Sequence, residues 1–183
     1  LGQFKINLRY TGILNLNSSL DNDGLFKSAR LKRRRDYRMT EKKGFFSEES
    51  ADIDILNHLQ DLTYNRQGIT ISGEEKKNLN KIIDASLLNG FGRLLVCKNK
   101  NGNPVSAALF IFDNKCGYYI IGATDPEYRK FGTGSYVMFE QIMRCKEQGL
   151  KIVDFCGINS PNRGDFKTSF NLKPMPFFEV TWK

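Results

Sequence analysis

The chain is poor in the residues on which most nucleophilic and metal chemistries depend. His58 is its only histidine, and Cys97, Cys116, Cys145 and Cys156 stand far apart with no CxxC pair. A zinc site needs several Cys or His ligands at short spacing, so no metal centre is expected, and a disulfide framework has no pattern to rest on. A cysteine nucleophile needs an activating partner; only the remote His58 is on offer, and it reads as structural. Scattered, reduced cysteines favour a cytoplasmic setting. No apolar run approaches the ~20 residues a membrane-crossing helix requires, and no repeat or low-complexity segment interrupts the chain. Acid is scarce as well: 28 Lys and Arg against 20 Asp and Glu leave a net charge of +8. That excess favours an anionic partner, whether a nucleotide cofactor, a nucleic acid or phosphates at a membrane surface. The first residue is Leu1 and not methionine, so we expect a piece of a longer protein or a processed product.

What is present is enough for one compact domain: 183 residues, 40% hydrophobic, with 14 Phe and 7 Tyr. Phe4 to Tyr10 alternates apolar and polar residues, and Ile13 to Leu16 follows Thr11-Gly12, which predicts strand, turn, strand. Ser18 or Ser19 is placed to cap a helix running to about Lys43 and closed by Gly44. Gly44-Phe45-Phe46-Ser47 is a short strand, and Asp52 or Asp54 opens a helix with Ile55, Leu59 and Leu62 on one face. Ser72 and Glu75 form a capping box ahead of an apolar stripe of Leu79, Ile82, Ile83 and Leu87 that ends at Gly90. The period then changes. Arg93 to Lys98, Val105 to Phe112 and Tyr118 to Ala123 are strand runs separated by turns, an antiparallel meander. A helix from about Gly134 to Gln148, a strand Lys151 to Phe155, a Gly/Ser/Pro loop and a last strand Phe177 to Trp182 complete an α/β chain.

Two segments carry candidate chemistry. In the first long helix Lys27, Arg30, Lys32, Arg33, Arg34, Arg35, Arg38, Lys42 and Lys43 face only Asp36 and Glu41. This is either a solvated face or a platform for a phosphate-bearing substrate or membrane headgroups, with Arg34 as its substrate-binding candidate. No base-reading nucleic-acid module accompanies it. The second segment is Arg129-Lys130-Phe131-Gly132-Thr133-Gly134-Ser135, set between the meander and a long helix. Glycines there let the backbone approach an anion, the helix N-terminus offers unpaired N–H groups, and Arg129 and Lys130 add charge. The alternative is a helix start that needs its glycines only for the turn.

Asp125-Pro126-Glu127-Tyr128 with that loop resembles the acyl-CoA segment RxxGxG of the GNAT acyltransferases, which implies a mixed, mainly antiparallel sheet flanked by helices, with the donor pyrophosphate on the amides of Phe131 to Ser135. A second resemblance runs along nearly the whole chain. Asp154-Phe155-Cys156-Gly157, then Ser160-Pro161, Gly164, Phe166-Lys167 and Phe170, resembles the DFxG and FK segments of the Fem-type aminoacyl transferases, which are built from GNAT domains. Tyr10 to Leu16, the arginine-rich helix and Arg66-Gln67-Gly68 resemble the second domain of those proteins. The resemblance implies that residues 1–183 are one GNAT-like domain, the C-terminal half of a two-domain protein whose first GNAT-like domain is missing here. It also implies that Phe166 and Lys167 lie near the donor or the developing negative charge. Asn171 stands where those relatives commonly have glycine.

Amide-forming acyl transfer builds an oxyanion that a positioned ammonium stabilises, which makes Lys167 the first catalytic candidate. Asp154 either orients an amine or holds its loop in shape. Tyr118 and Tyr119 alternate across a strand, one facing the core and one reaching a cleft, and Tyr119 joins Phe166 among the substrate-binding candidates. The function expected is transfer of an acyl group from acyl-CoA to an amine. The alternatives are an aminoacyl-tRNA donor acting on a cell-wall precursor at the inner face of the membrane, and a non-catalytic GNAT-like binding module. No metal cofactor is expected.

Overall fold

The computed structural model describes residues 3–16 and 21–182. Its elements in chain order are β1 (Phe4–Asn15), α1 (Asn22–Ser28), α2 (Leu31–Lys42), β2 (Phe46–Ser50), α3 (Ile53–Gln67), α4 (Gly73–Leu88), β3 (Gly92–Lys98), β4 (Pro104–Phe112), β5 (Cys116–Thr124), a 3₁₀ turn (Pro126–Phe131), α5 (Thr133–Glu147), β6 (Ile152–Asp154), α6 (Pro161–Thr168) and β7 (Lys173–Trp182). The strands form one seven-stranded sheet in the order β2-β3-β4-β5-β6-β1-β7. The β5–β6 pair is parallel and the others are antiparallel.

Alternation along the strands divides the core between two faces. Leu94, Val96, Ala107 and Leu109 pack with Leu56, Leu59 and Ile83 of α3 and α4. Leu95, Cys97 and Ala108 point the other way and meet Tyr136 and Val137 of α5. On that same side Phe110, Val153, Phe155 and Phe170 join Leu25 and Phe26 of α1 and Met138, Phe139 and Ile142 of α5. The sheet is therefore covered by helices on both sides, with α5 central on one of them.

Several local expectations change. Thr11-Gly12 is not a turn, because β1 passes through it unbroken. Gly12 is required by close packing: a Cβ there would lie 2.6 Å from Leu172 Cδ1. Ser18 and Ser19 lie outside the described residues. The helix begins from Asp21, whose side chain accepts the Gly24 N–H, and it breaks at Ala29. Ala29 is buried and the Arg30 N–H donates to the Ser169 carbonyl, so the break anchors the chain to its C-terminal segment. The capping box of Ser72 and Glu75 is present, but Ile82 is 56% exposed and leaves the apolar stripe to Ile83, Leu79 and Leu87. The Gly/Ser/Pro loop holds α6, opened by Pro161 at a position that suits its fixed φ.

β1 and β7 pair from Phe4↔Trp182 to Ile13↔Lys173, whereas β6 reaches only Ile13 to Asn15 of β1. Phe4 to Gly12 and their partners consequently form a two-stranded ribbon beyond the rest of the sheet. Alternation places Phe4, Ile6, Leu8 and Tyr10 on one face with Trp182, Val180, Phe178 and Pro176 opposite. Their exposures run from 41% for Phe4 to 69% for Phe178, an uncovered apolar face.

Candidate functional site

The site follows from an interruption in the sheet. β5 and β6 pair only through Cys116↔Ile152, Gly117↔Val153 and Tyr118↔Asp154. β5 continues to Thr124 while β6 ends at Asp154, so the strands part and β5 leaves its edge at Ile120 and Gly122 without a strand partner among the described residues, while Thr63 Oγ1 accepts the Thr124 N–H and donates to the Thr124 carbonyl. β5 is also bulged: Phe110 pairs with Tyr119 but Leu109 with Ile121, leaving Ile120 as the extra residue. A one-residue insertion reverses side-chain parity. Ile121 and Ala123 thus face α3 and α4, while Tyr119 turns to the α5 side and packs on Phe110 and Phe155.

A cavity of about 970 Å³ opens at this fork. Lys32, Arg33, Arg66, Arg129, Lys130, Arg163 and Lys167 contribute cations to it, against the carboxylates of Asp36 and Asp165. That surplus in a partly dry cleft attracts polyanions. Of the residues expected from sequence, Arg129, Lys130, Gly132, Gly134, Ser135, Tyr119, Phe166 and Lys167 line it. Phe131, Thr133, Arg34 and Asp154 are not among the lining residues.

The first glycine of the loop has a packing role. Gly132 has φ +78°, and a Cβ on it would lie 2.4 Å from Asp36 Cβ and 2.7 Å from Asp36 Cα. The glycine lets α2 lie directly against the N-terminus of α5. Ser135 Oγ donates to Asp36 Oδ2 at 2.9 Å and accepts from Arg33 Nη1 at 2.7 Å, and that same Nη1 lies 3.1 Å from Asp36 Oδ2. Thr40 Oγ1 donates to the Phe131 carbonyl at 2.6 Å. A carboxylate of the protein's own thus sits beside the positive end of α5, an arrangement the dipole favours. Burial pulls the Arg33 guanidinium below its ordinary value, while Asp36 and Asp165 oppose the shift. Its guanidinium also stacks 5.0 Å from the Phe166 ring centre.

Lys167 is fully engaged. Its Nζ donates to the carbonyls of Phe155 (2.6 Å), Cys156 (2.5 Å) and Gly157 (3.0 Å), one acceptor for each ammonium proton, and lies 5.2 Å from the Tyr119 ring centre. Burial lowers its affinity for the proton, with the Cys156 thiol and Asp154 acting in the opposite sense. Asp154 Oδ1 accepts from Thr11 Oγ1 and from the Cys156 N–H, so it holds the turn. Cys156 and Gly157 have φ of +46° and +62°. A non-glycine residue there is strained by about 1–3 kcal/mol, and Lys167 with Asp154 fixes it in place. Asn171, at φ +67°, adopts the left-handed conformation that glycine takes most readily. The Cys156 thiol is pushed up to about 11 by burial, against nucleophilic use. His58 is exposed, and no group of three His, Cys, Asp or Glu among the described residues is arranged to hold a metal. No helix among them is long and apolar enough to cross a membrane.

Sequence reasoning placed Lys32 and Arg33 in the basic platform but singled out Arg34, whose Nε is buried without a hydrogen-bond partner, and gave Asp36 no role in the site. Helical phase was the available signal, since positions 32, 33 and 36 share a face that 34 does not.

A sheet whose parallel strands part at a bulge, with a helix N-terminus at the fork, defines a GNAT-type acyltransferase domain. The chain belongs to the acetyltransferase (GNAT) domain family, whose model matches residues 27–168. It is 30% identical over 121 residues to a lipid II:glycine glycyltransferase of Staphylococcus haemolyticus, covering 60% of this chain and 29% of that protein. The lipid II:glycine glycyltransferase of Staphylococcus saprophyticus is 29% identical over 118 residues, again 60% of this chain and 28% of the relative. The chain therefore spans under a third of these curated relatives. Among solved structures, that of FemX superposes with a TM-score of 0.79 at 17% identity over 94% of this chain and 62% of the other.

Proposed function

We propose that this domain takes part in transferring an aminoacyl group from an aminoacyl-tRNA to an amine of a lipid II-type cell-wall precursor, and that acyl-CoA is not the donor. The carrying observation is the Asp36–Ser135–Arg33 cluster at the N-terminus of α5. A CoA pyrophosphate drawn to that helix end would meet the Asp36 carboxylate and the backbone of α2. The names of the glycyltransferase relatives support glycyl transfer onto lipid II as the acceptor side of this reading.

The amine attacks the ester carbonyl of the donor, the tetrahedral oxyanion collapses to the amide, and the C–O bond to the tRNA ribose breaks as the proton lost by the amine passes to the departing ribose oxygen, which leaves as a hydroxyl. No covalent enzyme intermediate is required. Positioning and electrostatics supply the acceleration. Arg129, Lys130, Lys32, Arg66 and Arg163 hold phosphates of donor or acceptor, and the free edge of β5 takes an extended chain. Lys167 acts by holding the 155–157 turn and through its charge at the cleft wall. The uncovered ribbon face and the share of the relatives covered support the view that this domain is one part of a larger protein with a further GNAT-like domain, working at the inner face of the membrane where its acceptor resides.

The test is titration of the chain with glycyl-tRNA and, separately, with acetyl-CoA. Binding of the tRNA that weakens steeply with salt and no heat from acetyl-CoA are expected. Acetyl-CoA binding that Arg129→Ala weakens, or salt-independent tRNA binding, overturns the proposal. Donor binding without transfer by the full-length protein favours a binding module.

A further inference from the structure

A second cavity of about 430 Å³ lies next to the cleft, lined by Lys43, Phe45, Asn99, Lys100, Tyr128, Lys130 and Phe131 among others. Its walls come from three elements that converge at one end of the sheet: the turn into β2, the Asn99–Asn103 turn between β3 and β4, and the 3₁₀ turn after β5. Three half-buried rings form its lining. The Phe45 ring centre lies 5.6 Å from that of Phe131 and 6.1 Å from that of Tyr128, and Tyr128 and Phe131 are 6.1 Å apart. Asn99 fixes the frame, donating to the Tyr128 hydroxyl at 3.2 Å while its Oδ1 accepts the N–H groups of Asn101 and Asn103 at 3.0 Å each.

The rim selects the occupant. Lys43, Lys100 and Lys130 face a single carboxylate, Glu127, and none of the three makes an ion pair among the described residues. Lys130 lies 5.2 Å from the Phe131 ring centre and lines both cavities, joining this pocket to the cleft. An aromatic box by itself would suit a quaternary ammonium, but three ammonium groups at the mouth repel one. An apolar side chain would leave the lysines without purpose. Flat π-faces for stacking beside cations for phosphate are the combination that binds nucleotides of a single strand.

We propose that this pocket stacks a nucleobase on Phe45 and Phe131 and holds its flanking phosphates with Lys43, Lys100 and Lys130, as a seat for the unpaired end of the RNA that carries the acyl donor. It rests on the tRNA-borne donor proposed above. The same chemistry would accept a free nucleotide, and the experiment separates the two sources.

Fluorescence anisotropy with a labelled five-nucleotide single-stranded RNA, and competition by ADP and UMP, are measured on the wild-type chain, on Lys43→Glu/Lys100→Glu at the exposed rim, and on Phe45→Leu, which keeps an apolar filler. Thermal melts confirm that the variants fold. The RNA is expected to bind, and the double rim variant to weaken it at least tenfold and flatten its log–log salt dependence by about 0.7 for each phosphate no longer held. Phe45→Leu is expected to weaken it by roughly fivefold or more, the loss of one stacked base. RNA binding that neither variant alters overturns the pocket while leaving the tRNA donor standing. Mononucleotide binding that the variants weaken, with no RNA binding, keeps a nucleotide site but overturns the RNA end and the donor reading together. Absence of binding by any probe overturns both.

Discussion

Replacing Gly132 by alanine separates packing from ligand approach as the reason for that glycine. Alanine at φ +78° costs about 1–2 kcal/mol for the left-handed backbone alone. Its Cβ would also sit 2.4, 2.7 and 2.9 Å from Asp36 Cβ, Cα and O. Two of these are backbone atoms, which cannot swing aside, so α2 must lift from α5. Overpacking of this kind costs about 1–3 kcal/mol, giving about 2–5 kcal/mol in total. Gly149 is the internal control, with φ +85° and nothing within 4 Å of the methyl that alanine would add. Gly149→Ala should therefore cost only the backbone share, about 1–2 kcal/mol. Urea unfolding of the two variants and the parent, read by circular dichroism, gives the difference directly. A Gly132→Ala loss at least about 1 kcal/mol greater than that of Gly149→Ala is expected. Equal losses would refute the idea that Gly132 exists to seat α2, and would reopen the loop to an anion.

Other perturbations test other parts of the structure. Lys167→Met strands three carbonyls and should destabilise the domain by about 2–4 kcal/mol, with hydrogen exchange rising first at 155–157; an unchanged exchange pattern would show that the lysine does not hold the turn. Burial raises the thiols of Cys97 to about 12 and of Cys145 and Cys156 to about 11, from an ordinary 9.0. The folded state holds these protons where the unfolded chain sheds them, so stability is full below about pH 9.0 and is lost as pH rises toward 11 to 12. Urea midpoints should fall over that window, and a flat response would contradict the burial. Ile6→Thr on the ribbon, where Ile6 is 57% exposed, should change stability by no more than about 0.5 kcal/mol while reducing self-association in light scattering. A large loss would mean that the ribbon face is already covered.

The parts legible in the sequence are those whose signals are local. The meander from Gly92 to Thr124 announces itself by alternation, the Ser72–Glu75 box by its spacing, and α5 by its apolar period and the closing Gly149. The GNAT architecture follows from that order. What escapes depends on contacts between distant segments. Nothing near Gly12 reveals that Leu172 will press against it, so a strand glycine reads locally as a turn. The bulge at Ile120 is a matter of register with β4 and decides which tyrosine meets the cleft. Asp36 looks like a lone acid in a basic helix, and its role appears only when Ser135, 99 residues on, comes to 2.9 Å. Lys167 reads as a cation near the chemistry, and it lines the cleft, but its three carbonyl partners belong to a turn no local rule predicts. In α6 the signal is present, since Ser160-Pro161 is a good helix start, and the surrounding glycine obscures it.

The seating of β1 has a consequence for the order in which the domain assembles. This strand is synthesised before the other six, yet its two neighbours are β6, beginning at Ile152, and β7, ending at Trp182. Until those residues have left the ribosome, β1 lacks its sheet partners, while β2 to β5 can already pair and collect α3 and α4. The earliest strand is thus the last to be placed. Pairings this remote along the chain carry the largest loop-closure cost, so the ribbon can form only once the two ends of the domain have been brought together.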